Sequence, residues 1–321
     1  MTECLEIVGS LAIPKPGSTG LLASSSSPVT CYSICLFTDV GDHSRRPPAG
    51  VEALAKLLNL GYLDCDASSV LAGANVWPPH LPPQKHERRD LIMIAALVYH
   101  PDVGLILFDS GSCEDVAAHW YPSINECAPR TWEKSVHGLP EAIAATGAGT
   151  IKDVKAVVLS HLHHDHAGGL EHFIDTDVEI WCHEDELKYA FWGCATGVDR
   201  DFYNPHYLQP ERFNWKTFNR EVFDIWTGVS LHLTPGHTCG SIIMEVRMPQ
   251  AGCIVMTGDL FHVKENWENG RPQGPLMRDY VAWHRSLDYV RHLVKAKKAR
   301  ILLGHEQSYF DTFAKSPEYT E

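Results

Sequence analysis

Four side chains able to bind a metal ion fall within six residues: His161, His163, Asp165 and His166. They belong to the run Ser160-His161-Leu162-His163-His164-Asp165-His166-Ala167-Gly168-Gly169. On an extended backbone, positions i and i+2 point to one side, so His161 and His163 can chelate one ion together. Asp165 and His166 would face opposite ways on an unbroken strand. The chain therefore has to bend after His163, and the bend lets both reach a second ion close by. Imidazole and carboxylate ligands suit zinc, and also manganese, iron or cobalt. The bland alternative is a histidine-rich surface loop that binds nothing, and four competent ligands at this spacing weigh against it. His164 should point away from His163 and reads as a structural or supporting residue.

The elements that would position these side chains are legible around them. Val154 to Leu159 is a short apolar run rich in β-branched residues, which predicts a buried strand, and the Gly168-Gly169 pair allows a tight turn after the ligands. Three more ligand-competent residues stand in similar places. His237 follows the strand-like run Val229 to Leu233, Asp259 follows Gly252 to Thr257, and His305 follows Arg300 to Leu303; each sits directly after a glycine. Side chains at the ends of several strands can converge on one edge of a packed sheet.

Elsewhere, Leu91 to Tyr99 and Leu105 to Phe108 predict a hairpin with His100-Pro101-Asp102-Val103-Gly104 as its turn, and Asp109-Ser110-Gly111 ends the second strand. Leu139 to Thr146 predicts a helix. Val178 to Cys182 predicts a strand, and His183-Glu184-Asp185-Glu186 the start of a helix with acidic residues in its first turn. Ser241 to Arg247 predicts another strand. Arg278 to Lys297 predicts a long amphipathic helix with Tyr280, Val281, His284, Leu287, Val290, Leu293 and Val294 on or near one face. Val51, Leu54, Ala55, Leu57 and Leu58 have helical spacing, so Gly50 to Leu60 is expected to be a helix. Cys4 to Val8 and Ser33 to Val40 are expected to be strands in an N-terminal extension, residues 1–90. The Pro-rich run Trp77 to Pro83 fits neither helix nor central strand and reads as a surface loop. Residues 181–226 hold twelve of the 31 Phe, Trp and Tyr residues. A compact core could absorb them; the segment 184–228 could equally form an apolar lid or wall over the metals.

The chain has 321 residues, 44% of them hydrophobic and 21% charged, a composition suited to a globular fold with ample core. The formal net charge of -13, with no dense basic run, argues against nucleic acid as a partner. No apolar run reaches the roughly 20 residues needed to span a bilayer, so no membrane partner is expected. Ten cysteines, none in a C-x-x-C pair, read as free thiols of a reducing, cytoplasmic setting.

The ordered set His161, His163, Asp165, His166, His237, Asp259 and His305 resembles the metallo-β-lactamase superfamily, with its His-x-His-x-Asp-His loop followed by separate His, Asp and His. The resemblance runs from about Leu91 to Glu306. It implies an α/β fold, an αββα four-layer sandwich, here as a single domain over 1–321, with two metal ions at one edge, most simply two zinc ions. It implies that His161, His163 and His237 hold one ion, that Asp165, His166 and His305 hold the other, and that Asp259 bridges them. Within the superfamily the chain is most similar to the N-acyl-homoserine lactonases, on the segment Asp259-Leu260-Phe261-His262-Val263-Lys264-Glu265-Asn266. Those enzymes carry a tyrosine three residues after the bridging Asp, where this chain has His262.

That departure bears on the chemistry. Phenol and imidazole differ by about 3 to 4 units in unperturbed pKa, and imidazole is the better proton donor near neutrality. Two adjacent cations would provide hydroxide at pH 7 and polarise a carbonyl. Asp165 could take the proton of the attacking water and His262 could protonate the leaving atom; the plainer reading of His262 is a rim residue that orients substrate. The sequence thus points to a metal-dependent hydrolase opening a small cyclic ester or amide. A lactone is the simplest substrate, and an aromatic lactam or cyclic carbamate such as benzoxazolinone fits the histidine and the aromatic segment. The likeness extends to fungal γ-lactamases of the superfamily that act on such rings. The rival readings are a thioesterase resembling glyoxalase II and a metal-stabilised binding protein without turnover.

Overall fold

The protein was analysed as a computed structural model, which describes residues 54–83, 85–248 and 252–313. The expected strands Cys4 to Val8 and Ser33 to Val40 lie outside the described residues. In chain order the strands are β1 (Leu54–Asp66), β2 (Arg88–His100), β3 (Gly104–Phe108), β4 (Arg130–Thr131), β5 (Val154–Val158), β6 (Glu179–His183), β7 (Asn214–Phe218), β8 (Val222–Trp226), β9 (Val229–Leu233), β10 (Ile242–Met248), β11 (Gly252–Met256) and β12 (Arg300–Leu302). Four helices bear on the site: α1 (Leu139–Ala145), α2 (His164–Ala167), α3 (Glu184–Thr196) and α4 (Tyr280–Lys297).

The strands form two mixed sheets, ordered β4-β1-β2-β3-β5-β6-β7 and β12-β11-β10-β9-β8. Strands β3, β5, β6 and β7 run parallel, as do β11 and β12. The period-two alternation of β2 sorts its side chains between two cores. Ile92, Ile94, Ala96 and Val98 face the space between the sheets, with Leu231, Ile242 and Met244 opposite. Leu91, Met93, Ala95 and Leu97 face the other way, with Leu139 and Ile143 of α1 and Ala190 of α3. A third core seats Trp283, Leu287, Val290 and Leu293 of α4 on Ile243 and Val255. The layers are thus helix, sheet, sheet, helix, the αββα sandwich.

Two expectations are corrected. The run Gly50 to Leu60 is not a helix where it is described; it enters β1, which pairs antiparallel with β2 from Leu54 to Asp66, with a bulge between Asn59 and Tyr62. Both faces of β1 are covered, Ala55 and Leu57 by one core and Leu58 and Leu60 by the other. A strand buried on both sides has apolar residues at nearly every position, and that density mimicked helical spacing. In α4, Tyr280 and Val281 are exposed, and Trp283 leads the buried stripe. Its indole N–H donates to the Leu260 carbonyl at 2.8 Å, which seats Trp283 in the core with its polar atom satisfied. The Pro-rich run at 77–83 lies at the surface, and the hairpin of β2 and β3 forms as expected.

Candidate metal centre

All seven ligand candidates gather where strands end at one edge of the sandwich. His161 and His163 follow β5, and α2 then turns the chain so that Asp165 and His166 face the same region. His237 follows β9, Asp259 follows β11 and His305 follows β12. The parallel pairing of β11 and β12 places Asp259 and His305 side by side. Gly304 is required there: a Cβ on it would lie 2.6 Å from the Gly258 carbonyl oxygen and 2.7 Å from Asp259 Oδ1.

The side chains form two groups around one carboxylate. In the first, His237 Nε2 lies 3.2 Å from His161 Nε2 and 3.0 Å from His163 Nδ1. In the second, His166 Nε2 and His305 Nε2 are 3.3 Å apart, and both lie within 3.7 Å of Asp165 Oδ2. Asp259 faces both groups. Its Oδ1 is 3.1 Å from His166 Nε2 and 2.9 Å from His305 Nε2; its Oδ2 is 3.5 Å from His237 Nε2 and 3.8 Å from His161 Nε2.

The outer contacts of the rings decide what their inner atoms can do. His166 Nδ1–H donates to Asp109 Oδ2 at 2.9 Å. Ser160 Oγ donates to the same oxygen at 2.8 Å and, with its proton so used, accepts from His161 Nδ1–H at 3.0 Å. His237 Nδ1–H donates to Gln273 Oε1 at 3.1 Å, and His305 Nδ1–H to the Ile92 carbonyl at 2.9 Å. Each bond fixes the tautomer that leaves a lone pair on Nε2 facing inward. The Nε2 atoms of His161 and His237, and those of His166 and His305, therefore face each other with lone pairs at 3.2 and 3.3 Å and gain nothing from that contact unless something positive lies between them. Ligands 2.0–2.1 Å from a tetrahedral ion lie about 3.3 Å apart, and the first group matches that spacing. A metal therefore fits these residues.

The electrostatics of the groups differ. Burial holds the His161 and His163 imidazoles well below their usual pKa, with neighbouring histidines adding to the effect, and brings His237 down to about 3. In the second group burial also works to depress the imidazoles, but Asp259 and Asp165 outweigh it. His305 is raised, and His166, with Asp109 added, is raised well above its usual value. Burial works to raise the Asp259 carboxyl, yet His166, His262 and His305 hold it well below the ordinary carboxylate range.

His262 is buried beside this constellation. Its ring stacks on His305 with centroids 5.5 Å apart, and its Nε2 lies 3.1 Å from Asp259 Oδ2. Neither ring nitrogen has a hydrogen-bond partner among the described residues. His164 points away, packed against Trp120 and Phe202. Of the aromatic segment, Phe202 and Tyr203 lie 5.2 and 5.0 Å from His163. Tyr207, Phe213 and Trp215 enter the core under the helices, and Trp181 and Phe218 the core between the sheets. Arg278, bound through two nitrogens to Asp199, lies over Phe202.

Sequence reasoning missed the supports: Asp109, Ser160, Gln273 and Glu186. Asp109 carried a weak signal, an acid directly after a strand and two residues before a glycine. Gln273 sits in an irregular stretch and carried none.

Residues 90–305 match the metallo-beta-lactamase superfamily. The N-acyl homoserine lactonase AiiB of Agrobacterium fabrum is 26% identical over 275 residues, covering 82% of this chain and 96% of its own. The N-acyl homoserine lactonase AttM of Azorhizobium caulinodans is 28% identical over 236 residues, covering 70% and 85%. Among solved structures, an N-acyl homoserine lactone hydrolase with its product N-hexanoyl-L-homoserine at the catalytic metal centre superposes with a TM-score of 0.69 at 24% identity, over 84% of this chain and 99% of that one; it shares the fold. With the matched segment reaching from β2 to His305, the chain belongs to the metallo-beta-lactamase superfamily.

Proposed function

We propose that this protein is a hydrolase that opens a small cyclic ester or amide with two divalent cations, most simply zinc, held by the two groups that share Asp259. The observation that carries this reading is the division of the Asp259 carboxylate, one oxygen turned to each group. His161, His163 and His237 would hold one ion, Asp165, His166 and His305 the other. Bound there, the cations would polarise the ring carbonyl and lower the pKa of a water toward neutrality.

The chain's own residues supply the rest. Water adds to the carbonyl carbon, the ring C–O or C–N bond breaks, and two proton transfers accompany these changes. Asp165, the least buried of the seven, takes the proton from the attacking water. His262 gives a proton to the departing ring atom. The lactonase relatives support a lactone; the imidazole at 262 favours an aromatic lactam or cyclic carbamate such as benzoxazolinone, whose nitrogen needs a proton to leave. The described cysteines are free thiols, which fits a cytoplasmic setting; no helix among the described residues is long and apolar enough to cross a membrane.

Metal analysis of the purified chain, followed by hydrolysis assays on γ-lactones, benzoxazolinone and S-lactoylglutathione, tests the proposal. Two ions per chain and ring opening of a lactone or lactam are expected. One ion or none, or cleavage of the thioester alone, would overturn it.

A further inference from the structure

Glu186 was read from sequence as one of three acids in the first turn of a helix. In the structure Glu184 is partly covered and Asp185 exposed, but Glu186 is wholly buried. Its Oε1 accepts from the Leu162 backbone N–H at 2.9 Å and from the Tyr203 hydroxyl at 3.1 Å. Its Oε2 accepts from Thr238 Oγ1 at 2.6 Å, and the Gly240 backbone N–H also donates to the carboxylate. These partners are hydroxyls and backbone N–H groups, none of them cationic. A carboxylate that receives every bond suits the ionised, acceptor-only form, although burial pushes its pKa up against the pull of those donors. A buried charge is costly without an opposite charge nearby.

The partners have a common location. Leu162 lies between His161 and His163, and Thr238 directly follows His237. Tyr203 packs its ring 5.0 Å from that of His163. The fit around Gly240 is close: a Cβ on it would lie 2.2 Å from the Glu186 backbone nitrogen. Every segment that Glu186 ties down therefore carries or touches the three-histidine group. The nearest supports of the second group, Asp109 for His166 and the Ile92 carbonyl for His305, come from different elements, the end of β3 and β2.

We infer that Glu186 is the positioning residue of the three-histidine group: its carboxylate fixes both loops that carry those ligands and supplies the negative charge that complements a cation there. The inference rests on the two-group metal reading above and concerns one group only. A merely structural knot would stabilise the whole edge and affect both groups alike.

Zinc and cobalt(II) titrations of the metal-stripped full chain separate these roles, with His305→Ala as a reference in which the second group is broken. Glu186→Gln keeps the volume but removes the charge and sets an amide NH2 against donors. It is expected to weaken the ion at the three-histidine group about 10- to 100-fold and shift its cobalt visible band, while the second ion binds as in the unaltered chain. Glu186→Asp keeps the charge with a shorter reach and should recover part of the loss. Equal weakening at both groups, no weakening, or identical behaviour of the Gln and Asp variants would overturn the inference. An unaltered chain that holds one ion, at the three-histidine group, sinks the two-ion reading but leaves this comparison to be judged by the same fold-change; a chain that holds none sinks both.

Discussion

The two ligand groups stand at the same edge of the same sandwich, yet they are built on opposite electrostatic plans. The three-histidine group consists of imidazoles that burial holds below their usual pKa, and the carboxylate oxygen facing it is Oδ2 of Asp259. The second group carries Asp165 and the other oxygen of Asp259, and these carboxylates raise the imidazoles beside them. The first group offers mainly lone pairs, whereas the second brings carboxylates with it. Imidazole-rich sites suit zinc, whereas carboxylate-rich ones also accept harder ions such as manganese. Asp259 is the only ligand whose loss both groups should feel equally.

That gives the largest predicted effect. Asp259→Ala should reduce ring opening on the order of 10³-fold and lower the metal content, measured by elemental analysis, at both groups. Loss from one group alone would break the assignment of Asp259 as the shared ligand. Next is His262→Phe, which keeps a ring of similar size against His305 but removes both nitrogens. Turnover should fall by about 10²-fold, most for substrates whose leaving atom is a nitrogen, and the pH profile should change while metal content stays the same. An unchanged rate and profile would end the proton-donor role. An unchanged rate with weaker substrate binding would leave His262 a rim residue.

Asp109 sharpens the contrast from the opposite side to Glu186. It sits at φ 58°, a conformation that Asn also tolerates, so Asp109→Asn tests the charge without adding backbone strain. The carboxylate accepts from the Ser160 backbone N–H at 2.7 Å as well as from Ser160 Oγ and His166 Nδ1. An amide cannot accept all three, and one contact must become donor against donor. Affinity at the second group should fall about 10- to 100-fold. The three-histidine group should weaken less, through the Ser160 hydroxyl that orients His161. Calorimetric metal titration measures both; equal losses would mean that Asp109 supports the edge as a whole.

These supports also mark the limit of what the sequence discloses. The seven candidates that the structure gathers were legible because each stands next to a strand of recognisable pattern, and because glycine marks where chains approach closely, as at Gly304. The sandwich was legible only through the family resemblance that those residues carry. Asp109, Gln273 and Glu186 were not, because what defines them is a partner far away in the chain: Asp109 meets a ring 57 residues on, Gln273 one 36 residues back, and Glu186 a backbone N–H 24 residues back. Nothing local separates Glu186 from Glu184 and Asp185, and only the fold decides which of the three acids is buried. The misreading of β1 has a related cause, since a strand covered on both faces loses the alternation that identifies it.

Gln273 should give the smallest effect and the most specific. Its Oε1 accepts from His237 Nδ1–H, while its Nε2 donates to the Leu260 carbonyl at 3.0 Å and to the carbonyl of Asp259. One amide therefore ties a ligand of the first group to the backbone of the shared ligand. Gln273→Ala frees His237 Nδ1 and leaves the Asp259 carbonyl without this donor, whereas Leu260 keeps the Trp283 indole. First-group affinity should drop by roughly 10-fold, the low end for an outer support. One unpaired buried polar group costs about 1–3 kcal/mol, which lowers the melting temperature by several degrees in a chain of this size, at about 2–4 °C per kcal/mol. Gln273→Glu divides the two functions: it still accepts from His237 but turns an oxygen toward two carbonyls. It should bind the first ion better than the Ala variant and melt lower; the reverse order in both measurements would show that His237 is held by its loop and not by Gln273.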